Sequence, residues 1–369
     1  MKKLLKQAFP ILTLSTLVAA NSALADGELK IFNWSDYIAE DTIEKFEQET
    51  GIKVTYDVFD SNETLEARLL AGNSGFDLVV PSSNFLGRQI KAGVFEPLDS
   101  SKLPNRKHMD PILMAQLETV DPGNKHALPY MWGTTGLGYN PAKVAEVLGT
   151  VAPVDSWSLI FDLENLKKLQ SCGVTLLDSA DEVLPIALQY LGKDPNSKNP
   201  ADYKSNSELA KLLKSVAPYI KQYHSSSYIA DLANGETCVA MGWSGDVIQA
   251  AARAEEAETG QEVLYSIPKE GTNIWFDMMA IPADAKNKDN AHRFIDYVMR
   301  PQVIADITNY VWYANPNPES MPLLDEELRN DETVFPNKET MNNLFISEIT
   351  PLKIERLKTR LWTSIKTGR

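Results

Sequence analysis

Between Leu29 and Ala92 the apolar pattern changes period again and again, and this rhythm restricts the fold more than any other feature of the chain. Leu29-Lys30-Ile31-Phe32 alternates as a strand does, and Asp41 to Thr50 then sets Ile43 and Phe46 on one helical face with Gly51 just past the end. Ile52-Lys53-Val54-Thr55-Tyr56 alternates again, and Asp60 with Glu63 three residues on reads as a capping box opening a helix from Thr64 to Ala71, stopped at Gly72. Phe76-Asp77-Leu78-Val79-Val80 is a short apolar run suited to a buried parallel strand, and a helix from Asn84 to Ala92 follows. Strand and helix alternating three times implies an α/β fold with an open parallel sheet covered on both faces. In such sheets ligands bind beyond the carboxyl ends of the strands. Asn33-Trp34-Ser35-Asp36-Tyr37 and Ser82-Ser83-Asn84 occupy two of those ends.

The N-terminus carries Lys2, Lys3 and Lys6, then an apolar stretch from Ala8 to Ala20 and the small-residue site Ala23-Leu24-Ala25. The apolar run falls short of the ~20 residues of a membrane span and reads as a secretory leader over residues 1–25, cleaved to release an exported, soluble chain. The formal charge is −14, and losing a leader with three lysines and no acid takes it to −17. Such a surface repels nucleic acid and anionic lipid and attracts cations. The remaining length suits two lobes better than one core. Cys172 and Cys238 are the only cysteines. In an exported protein an even pair reads as one disulfide rather than two buried thiols, closing a loop that on a chain-entropy account stabilises by about 4 kcal/mol. Helices are expected around Glu164–Gln170, Asp181–Leu191 and Glu208–Tyr219, and strands at Cys238–Trp243 and Trp275–Ile281.

One local composition recurs at distant places. Aromatic and acid stand together in Trp34-Ser35-Asp36-Tyr37, in Trp243-Ser244-Gly245-Asp246 and in Trp275-Phe276-Asp277, and Trp312-Tyr313 adds two rings. Taken singly, a Trp at a strand end is packing and an Asp in a turn is a cap. Brought together they make a cleft with aromatic walls and acidic ends. An aliphatic chain fits flat apolar walls, and ammonium groups at its ends fit carboxylates, hydroxyls and π-faces. Sugars also use aromatic and acidic sites, so a sugar-binding transport protein remains an alternative. A glycosidase with a carboxylate pair is another.

Other chemistries find little support. His108, His126, His224 and His292 lack metal-ligand spacing. No Walker loop or dinucleotide fingerprint occurs. Gly242-Trp243-Ser244-Gly245 has Asp246 where a nucleophile elbow needs its last glycine. No arginine accompanies the aromatic-acid segments to clamp an amino-acid carboxylate. Neither a catalytic residue nor a cofactor nor a metal is expected, nor a nucleic-acid partner, and the chain is expected to act as a monomer.

Phe32-Asn33-Trp34-Ser35-Asp36-Tyr37-Ile38, Gly75-Phe76-Asp77-Leu78-Val79-Val80-Pro81-Ser82 and Leu128-Pro129-Tyr130-Met131-Trp132-Gly133-Thr134 resemble segments of the periplasmic putrescine- and spermidine-binding proteins of polyamine ABC importers. So do Asp155-Ser156-Trp157, Asp231-Leu232-Ala233-Asn234-Gly235 and Ile267-Pro268-Lys269-Glu270-Gly271, in the same order along the chain. The resemblance implies a type II, two-lobed fold, each lobe a mostly parallel sheet flanked by helices, joined by a hinge. Lobe 1 would comprise residues 26–134 and 277–312, and lobe 2 residues 135–276 and 313–369. It implies a periplasmic location, a membrane permease as partner and a polyamine between the lobes; a polyamine sensor subunit would share that site.

Position by position, Trp34, Ser35, Asp36, Tyr37 and Ser82 would come from lobe 1, Glu182, Trp243 and Asp246 from lobe 2, and Trp275, Asp277 and Tyr313 from the crossovers. By that analogy Asp36 and Asp277 hold one amine, Asp246 with Ser35 holds the other end, and Glu182 reaches an amine through water. Trp34, Trp243, Trp275 and Tyr37 sandwich the methylenes. Trp275, where putrescine-preferring relatives tend to carry Phe, implies that spermidine binds at least as tightly as putrescine. The cysteine pair matches a disulfide of the family.

Overall fold

The computed structural model describes residues 27–368; the leader expected over 1–25 lies outside them. Ten strands form one continuous sheet: β1 (Glu28–Trp34), β2 (Lys53–Phe59), β3 (Leu78–Val79), β4 (Ala127–Tyr139), β5 (Val174–Leu176), β6 (Gln222–Tyr223), β7 (Val239–Trp243), β8 (Leu264–Ser266), β9 (Asn273–Ala280) and β10 (Phe345–Ile346). The order is β2-β1-β3-β9-β4-β7-β5-β6, with β10 beside β9 and β8 beside β4. At one end β2, β1 and β3 are parallel, and at the other so are β6, β5 and β7. β4 and β9 run antiparallel to each other, β9 antiparallel to β3 and β4 antiparallel to β7, and the pair joins the two parallel halves; the short β10 is parallel to β9.

The early rhythm is realised as expected. Helix Thr42–Thr50 ends at Gly51, whose φ of 73° no L side chain adopts cheaply. Helix Asn62–Leu70 is capped by Ser61, whose side chain accepts from Thr64 N, and not by Asp60. That difference frees Asp60, which follows β2 directly.

β4 was not foreseen. Its sequence Ala-Leu-Pro-Tyr-Met-Trp-Gly-Thr-Thr-Gly-Leu-Gly-Tyr is buried at all thirteen positions. A strand covered on both faces has no apolar-polar alternation, and Pro129 with three glycines argues against a strand by composition.

The buried side chains separate into two cores. The first gathers Leu29 to Trp132, then Ile274 to Ala314 with Leu328 and Val334. The second gathers Leu137 to Tyr265 and, from the last helix (Leu352–Thr367), Ile354, Leu361, Trp362 and Ile365. The chain passes between them on β4 around Gly133–Gly136, at the start of β9, and again between Val334 and Ile354. The return to the second core therefore falls some twenty residues after the expected position 313, because Tyr313, Ala314, Leu328 and Val334 pack with the first core. The early part of β9 also joins the first core, ahead of the expected boundary at 277. Cys172 and Cys238 form a disulfide that ties the turn after helix Leu163–Leu169 to the start of β7. Among the described residues no helix is long and apolar enough to cross a membrane.

Candidate functional site

The carboxyl ends of both parallel halves border one cleft at the junction, which spans about 440 Å³ of empty space, part of it open to solvent. Each strand end delivers part of its wall. Trp34 closes β1, its indole fixed by donation to Val80 O at 2.9 Å. Ser82 follows β3, and Trp243 ends β7. Asp246 stands in the first turn of helix Ser244–Glu256, where the positive helix end favours an anion. Glu182 has the same position in helix Ala180–Tyr190, which follows β5. Trp275 and Asp277 project from β9, and Tyr313 follows helix Pro301–Val311. Trp34 of the first core and Trp243, which packs against both cores, meet edge to face at 5.5 Å. Tyr313 packs against Tyr37 at 4.9 Å and Trp275 at 5.4 Å.

Four carboxyls line this cavity, those of Asp60, Glu182, Asp246 and Asp277, and the last three accept from hydroxyls. Asp277 accepts from the Ser82 hydroxyl at 2.5 Å, and Ser82 exchanges two further bonds with Asn62. Asp246 accepts from the hydroxyls of Tyr228 at 2.7 Å and Tyr313 at 2.6 Å. Glu182 accepts from Thr135 Oγ1 at 2.7 Å. Burial pushes Asp277 and Glu182 up to about 7 and Asp246 up to about 6, against the hydrogen bonds that favour their ionised forms. No lysine, arginine or histidine stands among the lining residues. The cavity therefore holds anionic groups poised near neutral pH, with hydroxyl donors but no cation. A ligand that brings positive charge removes the penalty of burying them; a neutral one does not.

Trp34, Ser35, Tyr37, Ser82, Glu182, Trp243, Asp246, Trp275, Asp277 and Tyr313 all line the cavity. Asp36 does not. Its backbone is left-handed (φ 55°), and this turns the carboxylate to the mouth, where Oδ1 accepts from Arg253 Nη2 at 2.6 Å. In this structure Asp36 therefore stands apart from Asp277, with which it was expected to share one amine. Arg253 lies seven residues, two helical turns, beyond Asp246 and out of the lining, so an arginine does stand near an aromatic-acid segment after all. Gln249 of the same helix donates to Asp36 O at 3.3 Å, so this helix holds the mouth at two points.

Asp60, Asn62 and Ser225 also line the cavity and were not anticipated. Asp60 and Asn62 follow β2 and Ser225 follows β6, so the strand-end rule finds them once it is applied to every parallel strand. Among the described residues no cluster of His, Cys, Asp and Glu is arranged to hold a metal ion.

The family model for bacterial extracellular solute-binding proteins matches residues 41–336. The chain is 54% identical over 359 residues to the putrescine-binding periplasmic protein SpuD of Pseudomonas aeruginosa, covering 97% of both chains. It is 55% identical over 341 residues to the putrescine-binding periplasmic protein PotF of Escherichia coli, covering 92% of both. Among solved structures, a putative spermidine/putrescine ABC transporter protein from Listeria monocytogenes superposes with a TM-score of 0.81 at 35% identity, over 93% of this chain and 99% of that one.

Proposed function

This chain belongs to the bacterial extracellular solute-binding protein family, and we propose that it is the periplasmic binding component of a polyamine importer. It holds spermidine or putrescine between its lobes and presents the closed form to a membrane permease. The observation that carries this reading is the set of buried Asp246 and Asp277 and half-buried Glu182, in an aromatic cavity whose lining contains no cation. Asp277 with Ser82 receives one ammonium and Asp246 with Ser35 the other, while Glu182 reaches an amine through water. Trp34, Trp243, Trp275 and Tyr37 cover the methylenes. The chain binds its ligand without transforming it, acts as a monomer and reaches the periplasm by a cleaved leader. The lobes are its two cores, with β4 and β9 as the hinge strands.

Two ligand preferences compete within this reading. The relatives at 54% and 55% identity are named for putrescine, whereas the broad indole of Trp275 suits the longer triamine. We assign the site to both amines, with spermidine at least as tight. A ratio of about tenfold in favour of putrescine contradicts that order.

A sugar-binding cleft shares the aromatic walls, and pH separates the two. Fluorescence titration at about pH 8 and about pH 5, on either side of the raised carboxyl values, is expected to give saturable amine binding that weakens strongly in acid. Binding of a sugar, insensitive to pH, with no amine response contradicts the proposal.

A further inference from the structure

On the antiparallel pair of hinge strands, Gly133 of β4 stands directly opposite Trp275 of β9. Directly paired residues in an antiparallel sheet share a face. A Cβ built on Gly133 falls 2.8 Å from Trp275 Cζ2 and 2.9 Å from Cη2, closer than carbon atoms approach. The benzenoid edge of the indole therefore lies over the bare glycine backbone. The pocket wall is Trp275, and the space behind that wall is Gly133.

What else holds this ring is limited. Trp34 is fixed by an indole hydrogen bond to Val80 O and Trp157 by one to Gly271 O. The buried Nε1 of Trp275 has no hydrogen-bond partner among the protein groups. Its place is set by packing, against Tyr313 on one side at 5.4 Å and against Gly133 behind. Gly133 has an ordinary strand backbone, since its φ is not in the left-handed region. A glycine is thus not required by conformation; it is required by the ring. Close by, the Tyr313 ring lies over Gly245, where a Cβ would stand 2.5 Å from two ring carbons.

Resting on the polyamine reading of the cleft, we infer that Gly133 is a specificity-determining residue that never touches the ligand: by seating the Trp275 indole back against the sheet, it sets the width of the cavity and admits the longer amine. A methyl group at this position drives the indole toward the ligand path. The Ser244 hydroxyl, 2.8 Å from the same Cβ, is held by a long 3.4 Å bond from Thr134 N and yields at the cost of that bond, whereas a ring packed on two sides has less room to give. The narrower cavity discriminates against the longer, bulkier ligand more than against the shorter.

The test is a double-mutant cycle with Gly133→Ala, Trp275→Phe and the pair combined, titrated with spermidine and putrescine beside the unaltered protein. Gly133→Ala is expected to weaken spermidine by about tenfold or more and to move the spermidine-to-putrescine ratio by about threefold or more toward putrescine. The smaller phenyl ring relieves the clash, so the combined variant should bind spermidine within about threefold of Trp275→Phe alone. An unchanged ratio in Gly133→Ala overturns the inference, as does a combined variant that binds as weakly as Gly133→Ala. Should Gly133→Ala fail to fold, the combined variant decides: folding and binding support the seat, and continued failure places the clash elsewhere. If the unaltered protein binds neither amine, it is the reading of the cleft that falls.

Discussion

Asp246 sits among tyrosines and at a helix N-terminus, and its carboxyl is still raised to about 6 because burial outweighs its hydrogen bonds. Asp277 and Glu182 are raised further, to about 7. Carboxyls in an unfolded chain titrate near pH 4, so between about pH 4 and 7 the empty closed form holds protons that the unfolded chain has released. The contribution of these three groups to the stability of the closed form therefore falls as pH rises through that window. A bound dication reverses the balance by favouring the ionised carboxylates. Amine binding near pH 6 should thus expel protons, seen as a calorimetric enthalpy that depends on the ionisation heat of the buffer. An enthalpy independent of buffer means that these carboxyls do not meet the ligand charge.

Asp246→Asn removes a charge-assisted bond and is expected to weaken amine binding by about 1 kcal/mol or more; unchanged affinity places Asp246 out of ligand contact. Which residues converge on the cavity was legible in the sequence wherever an aromatic and an acid follow a strand together. The direction of the Asp36 carboxylate was not, because it depends on a left-handed backbone angle and on Arg253, 217 positions away.

Behind the cavity, four helices meet around charged groups outside its lining. Arg88 of helix Ser83–Lys91 lies over the Phe85 ring at 3.8 Å and donates to Glu66 through two nitrogens, at 2.6 and 2.9 Å. Its remaining nitrogen faces Asp181 at 3.7 Å and Glu355 at 3.5 Å, on two helices of the second core. Lys358, 6% exposed, bonds to Asp181. Burial pushes Asp181 up, but Lys358 and Arg88 outweigh it and hold the carboxyl below its ordinary range. Lys358→Met strands a buried carboxylate, and stability measured by denaturant should fall by about 3 kcal/mol, the low end for a broken buried pair because Arg88 remains. A loss under about 1 kcal/mol would show that water or Arg88 alone satisfies Asp181.

At this scale the helices of the first hundred residues were readable, since each carries one apolar face and a glycine stop. β4 was not, because burial on both faces erases alternation. The cap of the second helix was misplaced by one residue, Ser61 competing with Asp60 for the same role.

Length and the family resemblance pointed to two lobes, and the structure has two separate cores. The exact crossovers were not legible, because Tyr313 to Val334 is apolar enough to join either core and only tertiary packing assigns it to the first. With Trp34 against Trp243, Asp36 against Arg253 and Arg88 against Glu355, the two halves are drawn together over the cavity. In the proposed function, carboxyls without a counter-charge inside oppose that closure and a polyamine would favour it, so that occupancy would become a shape that a permease can recognise.

The central claim is that this cavity is completed by a flexible dication or trication. Calorimetric titration of the refolded, ligand-free chain with spermidine and then putrescine tests it most directly. The account predicts saturable one-to-one binding of both. Absence of heat with either amine, together with saturable binding of a neutral sugar, would contradict it.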